Sequence, residues 1–142
     1  MSEDFLFVYG KLRQRSDREI ALLFLQNARI LGPARVNGKL YNVGGYPGAI
    51  LSDDPQDQVL GQLLALPDEE ALWRILDDYE GIGPIFSAPF EYERCRVPVQ
   101  LEDGSRFQAW MFLYRHDLAE ARHIDHGDYL KYLQSEMQKD VG

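Results

Sequence analysis

The sequence predicts an α+β domain built on a curled, mainly antiparallel sheet. Its apolar segments read in the order strand, helix, strand-rich stretch, helix, hairpin and tail, without the regular alternation of a doubly wound parallel sheet. Two dipeptides tolerant of positive φ, Asn37-Gly38 and Asp103-Gly104, sit between β-prone runs and favour tight antiparallel connections. No linker, repeat or low-complexity stretch divides the 142 residues, which predicts a single domain over 1–142.

Each element has a local reason. Phe5 to Tyr9 is a short aromatic and β-branched run ending at Gly10, the pattern of a buried strand running into a turn. Ser16 and Glu19 have capping-box spacing, and Ile20, Leu23 and Phe24 follow at helical intervals, predicting a helix over 17–27 with Pro33 beyond it. Residues 28–43 are β-prone on both sides of Asn37-Gly38 and read as a hairpin, followed by a loop over 44–48. Val59 to Leu66 is the next strand. Asp68 is a good N-cap, and Leu72, Ile75, Leu76 and Tyr79 form the stripe of an amphipathic helix that ends before Gly81. Residues 82–91, with two prolines and a glycine, form a loop. Arg94 to Leu101 and Phe107 to Tyr114 pair around Asp103-Gly104, and Gly127 to Gln138 suits a closing helix.

Composition excludes several function classes. A formal net charge of −8 opposes nucleic acid and anionic membranes alike. The lone cysteine, Cys95, permits no internal disulfide and no thiolate cluster for zinc, which suits a reducing compartment. With an acidic start and no apolar run of membrane-spanning length, the expected location is the cytoplasm. No obligate protein partner is evident.

Two positions invite chemistry. Glu80 lies at the last turn of the second helix, at i+7 from Trp73 and i+4 from Leu76, which sets a carboxylate beside the apolar stripe. Burial and the negative helix end would both raise its pKa toward a value useful for proton transfer; the alternative is a solvated helix end shared with Asp77 and Asp78. The Gly10 turn would let backbone N–H groups approach a ligand, or would be a plain turn. His123 and His126, with Asp125 and Asp128, have metal-like spacing, but Gly127 interrupts the segment and no distant ligand joins it, so a polar surface turn is the better reading. Cys95 lacks a neighbouring histidine and reads as a packing residue. Tyr92, Tyr114 and Tyr129 read as core-edge residues whose hydroxyls need partners.

Six motifs in order, FVYGKLR at 7–13, GKLYNVGGYPGAI at 38–50, VLGQLLALP at 59–67, LDDYEG at 76–81, YER at 92–94 and AWMFLY at 109–114, resemble the γ-glutamylcyclotransferase-like family. The likeness is to its small bacterial proteins and γ-glutamylamine cyclotransferases. The resemblance implies a small mixed, mainly antiparallel β-barrel with flanking helices. It also implies a metal-independent enzyme without cofactor that releases 5-oxoproline and an amine from a γ-glutamyl compound. Carried over position by position, the acid/base glutamate falls on Glu80, the substrate loop on Tyr9, Gly10, Lys11 and Leu12, and cavity tyrosines on Tyr92 and Tyr114. Lys11 stands where the family commonly has Ser or Thr, and the segment from Glu80 to Tyr92 is longer than in compact members. Lys11 keeps open a second reading, a small-molecule binding module without turnover, and a protein-interaction adaptor would be a third.

Overall fold

The computed structural model describes residues 3–9, 29–43, 47–67, 92–119 and 121–141. The apolar run after Asp4 becomes β1 (Glu3–Val8). It pairs antiparallel with β4 (Gln58–Pro67), from Glu3↔Pro67 to Val8↔Gln62, and parallel with β6 (Arg106–Tyr114) at Leu6↔Trp110. Such a strand has a partner on each side and burial on both faces, so from Phe5 onward its sequence is continuously apolar rather than alternating. Phe7 and Tyr9 point into one cluster and Leu6 and Val8 into another.

The remaining strands close the sheet. β2 (Arg29–Asn42) pairs antiparallel with β4, and β5 (Tyr92–Leu101) pairs antiparallel with β6. β2 also meets β5 at Ala34↔Leu101 and Arg35↔Gln100. The circuit β2-β4-β1-β6-β5 therefore returns to β2 as a five-stranded barrel, mixed through β1–β6 and otherwise antiparallel among the described pairings. β3 (Pro47–Leu51) and β7 (Arg122–Ile124) pair with the second half of β2, and α1 (Tyr129–Val141) ends the described chain. Phe7, Leu63, Val97, Met111 and Tyr129 fill the interior, while Leu6, Leu66, Phe112 and Tyr114 form a second buried layer on the outer face. The helices expected over 17–27 and from Asp68 to Gly81, and the loop over 82–91, lie outside the described residues.

Three local expectations change. Asn37-Gly38 is not a hairpin turn: β2 runs straight through it. Asn37 Nδ2 instead donates to the carbonyls of Asp54 (3.2 Å) and Asp57 (3.4 Å), and Gly38 N–H donates to Asp57 O (3.1 Å). Gly38 serves a close approach rather than a positive φ, since a Cβ there would lie 2.5 Å from Ile50 O. β2 is long enough to pair with β4 and β5 first and with β3 and β7 beyond. Pro47 and Gly48, expected in a loop, open β3. Pro33 sits inside β2 because Gly32 (φ 136°) forms a bulge, with the register shifting between Ile30 and Gly32. The Asp103-Gly104 hairpin forms as expected, with Gly104 at φ 92° and Leu101 N–H donating to Ser105 O (2.9 Å).

The closing helix starts at Tyr129, two residues later than expected, because Asp128 caps it: its Oδ1 accepts from Leu130 N–H (3.1 Å) and Lys131 N–H (3.3 Å). Gly127, at φ 75°, lies against β4, where its carbonyl accepts from Leu60 N–H (2.7 Å). A Cβ at Gly127 would run into the Gln58 carbonyl. Gly127→Ala is therefore expected to cost roughly 2–4 kcal/mol, from the left-handed backbone together with displacement of this loop from β4. Denaturant unfolding checks it, and an unchanged midpoint would contradict the packing described.

Candidate active site

Strand direction gathers the tyrosines. β1 and β6 run parallel and β5 runs against β6, so Tyr9 after β1, Tyr114 at the close of β6 and Tyr92 at the start of β5 share one end of the barrel. β2 runs the same way as β1, since both oppose β4, and it brings Asn42 and its partner Pro47 to that end.

Tyr92 and Tyr114 are a directly opposed cross-strand pair, and their rings meet edge to face with centroids 5.5 Å apart. The Tyr92 hydroxyl donates to Pro47 O at 2.5 Å. Gly48 lies flat against Tyr114: a Cβ there would come within 3.0 Å of the ring and 2.9 Å of Val43. The two tyrosines thus clamp the first residues of β3, and the His116 ring packs edge-on against Tyr114 at 5.9 Å. Tyr92→Phe, which leaves the Pro47 carbonyl without this donor, is expected to lower stability by about 1–3 kcal/mol. A thermal unfolding midpoint equal to that of the parent would rule out the clamp.

Tyr9 reaches the same end on the opposite face of the sheet. It is buried in the interior cluster, stacks on Phe7 with centroids 6.3 Å apart, and donates its hydroxyl to Phe112 O at 2.5 Å. The bond ties the residue that follows β1 to β6. Gly10, Lys11, Leu12 and Glu80 lie outside the described residues.

A polar group that sequence reasoning missed sits at this end. Arg115 donates through Nε (3.1 Å) and Nη2 (2.5 Å) to Glu93 Oε1, and the Cys95 thiol donates to the same oxygen at 3.1 Å. The Cys95 hydrogen bond, and then Arg115, hold the Glu93 carboxyl below the usual carboxylate range. Burial, followed by the bond to Glu93, pushes the Cys95 thiol up, which opposes a nucleophilic thiolate. Cys95 also packs against the interior cluster, the role its sequence context suggested. The available signal was the register: Glu93 and Arg115 become diagonal neighbours once Tyr92 is set opposite Tyr114.

Tyr129 is almost fully buried in the interior cluster, and burial raises its hydroxyl pKa. His123 lies in β7 beside the Tyr41 ring (5.2 Å), and His126 Nδ1 accepts from Asp128 N–H (3.2 Å) in the turn that follows. No group of three or more His, Cys, Asp or Glu positioned for a metal occurs among the described residues. No helix among them is long and apolar enough to cross a membrane. Two clefts, about 190 and 220 Å³, lie away from the tyrosines, on the outer face of the seam between β2 and β5.

Residues 6–131 match the family described as gamma-glutamyl cyclotransferase, AIG2-like. The Escherichia coli gamma-glutamylcyclotransferase family protein YtfP is 29% identical over 126 residues, covering 88% of this chain and 95% of YtfP. Its solution structure superposes with a TM-score of 0.61 at 28% identity, over 89% of this chain and 96% of that one. The crystal structure of Bacillus subtilis YkqA gives a TM-score of 0.70 at 20% identity, covering 96% of this chain but only 43% of YkqA. That of a mouse AIG2-like protein gives 0.66 at 22% identity, over 84% of this chain and 82% of the mouse one.

Proposed function

The chain belongs to the gamma-glutamyl cyclotransferase, AIG2-like family, and on that premise we propose that it releases 5-oxoproline and a free amine or amino acid from a γ-glutamyl compound. The observation that carries the reading is the shared barrel end: the strand that leads into Tyr9-Gly10-Lys11-Leu12 ends beside the strand termini holding Tyr92 and Tyr114.

In the proposed reaction the substrate's own α-amine attacks its γ-carbonyl carbon. A new C–N bond closes the five-membered ring, and the bond from that carbon to the leaving nitrogen breaks. Because the nucleophile is intramolecular, holding a near-attack geometry supplies much of the acceleration, and neither an enzyme nucleophile nor a Lewis acid is required. What remains is proton traffic: the α-nitrogen gives up one proton before attack and a second as it becomes the ring amide, and Glu80 relays them to the leaving nitrogen, which departs as an ammonium. Backbone N–H groups of the Tyr9-Gly10-Lys11-Leu12 segment receive the α-carboxylate or the tetrahedral oxyanion, a contribution of roughly 3–4 kcal/mol per well-placed donor. Lys11 adds positive potential there.

The deciding experiment incubates the purified protein with a panel of γ-glutamyl amino acids, γ-glutamyl amines and γ-glutamyl-lysine isopeptides and measures 5-oxoproline. Turnover of one class identifies the leaving group, and saturable binding without product would favour the binding module. Chelators are expected to leave turnover unchanged. Activity lost to chelation and restored by zinc or manganese would overturn the proton-shuttle mechanism.

A further inference from the structure

The seam that closes the barrel is thin, and its outer face carries positive charge that forms no ion pair among the described residues. β2 and β5 share two residue pairs, Ala34↔Leu101 and Arg35↔Gln100. Two residues before Gln100 in β5 stands Pro98, which has no N–H to extend the ladder. The strands part there, leaving the 190 Å³ cleft, whose lining includes Val36 and Val99 as well as Arg35, Gln100 and Arg106.

Register aligns the charges. Gln100 lies opposite Arg35 on one side and opposite Arg106 on the other, so the three side chains project from one face in a row across β2, β5 and β6. The two arginine backbones are two strand spacings apart, roughly 10 Å, so both guanidinium groups can reach a ligand set over Gln100.

Arg35 and Arg106 form no ion pair among the described residues, whereas the other described arginines are engaged. Arg96 pairs with Asp4 and Arg115 with Glu93, Arg94 stacks over Trp110 and Arg122 over Tyr132, and Arg29 has a partner as well. In a chain of net charge −8, the two arginines without an ion pair among the described residues are the two that flank one cleft. Arg35 and Gln100 also line the adjoining cleft, where the carboxylates Glu102 and Asp128 stand without an ion pair to Arg35.

We propose that the Arg35–Gln100–Arg106 row binds a small oxyanion, carried either by free phosphate or by the carboxylate of a small organic acid. Guanidinium forks match the geometry of both groups, and the Gln100 amide supplies a further donor between them. The cleft is smaller than the usual 300–1,000 Å³ of a drug-sized ligand site, which favours the oxyanion itself over a nucleotide. A bound anion bridges β2 to β6 across the weakly paired seam, so it stabilises the closed barrel.

The test titrates the full chain with inorganic phosphate and, separately, with glutarate at constant ionic strength, following backbone amide shifts and the thermal midpoint. The expected result is saturable binding of at least one anion, with shifts centred on Arg35, Gln100 and Arg106 and a rising midpoint. Phosphate alone would identify a phosphate site and glutarate alone a carboxylate site. Arg35→Gln and Arg106→Gln should each weaken binding roughly tenfold or more, whereas Arg122→Gln should not. Both variants change exposed side chains, so the fold survives them. Saturable binding of neither anion, or binding that persists in the double variant, would overturn the proposal.

Discussion

Glu80→Gln is expected to lower 5-oxoproline formation by roughly 10²–10⁴-fold, the usual worth of general acid–base catalysis, with folding and ligand binding retained. The amide keeps the size and hydrogen-bonding reach of the carboxylate but cannot accept a proton and return it. Glu80→Asp should also be poor, because shortening by one methylene withdraws the carboxylate by about an ångström from a geometry-sensitive transfer. Asp77→Asn and Asp78→Asn are the controls: they share the charge of this segment but not Glu80's sequence intervals of four from Leu76 and seven from Trp73. Their losses should be small. Measured as kcat on the substrate found in the panel, near-parental turnover by Glu80→Gln would remove both this glutamate's role and the residue-level carry-over from the family.

Tyr129→Ala is expected to destabilise the fold by about 3–5 kcal/mol, a fall in the thermal midpoint on the order of 10 °C. Tyr129 is 1% exposed and is among the largest fully buried side chains of the interior cluster. Its ring stacks on Tyr132, whose hydroxyl accepts from Asn42 Nδ2 (3.0 Å), so the residue links the first turn of α1 to β2. Truncation to alanine empties space that the flanking strands cannot close, since their positions are set by the barrel ladder. Tyr129→Phe keeps the ring and should keep most of the stability, which separates packing from the hydroxyl's contribution. An alanine variant with a loss below about 1 kcal/mol would show that the barrel interior closes without this side chain.

What the sequence determined by itself were features with short-range causes. Phe5–Tyr9 is a buried strand because its apolar run has no polar face to offer solvent, and Asp103-Gly104 turns because Gly104 can adopt φ 92°. The motifs from FVYGKLR to AWMFLY identified the family, and with it the barrel. The tertiary structure decided what depends on residues far apart in the chain. Asn37-Gly38 has the local signature of a hairpin, yet β2 passes straight through because β3, β4, β5 and β7 all pair along it, and no local preference encodes that competition. Likewise, Tyr92 was legible as a tyrosine needing a partner, but only the register with Tyr114 and the approach of β3 made Pro47 that partner. Glu93 with Arg115, and Arg35 with Arg106, are silent in a linear reading, because each pair is made by strand pairing between residues that no helical or turn spacing connects.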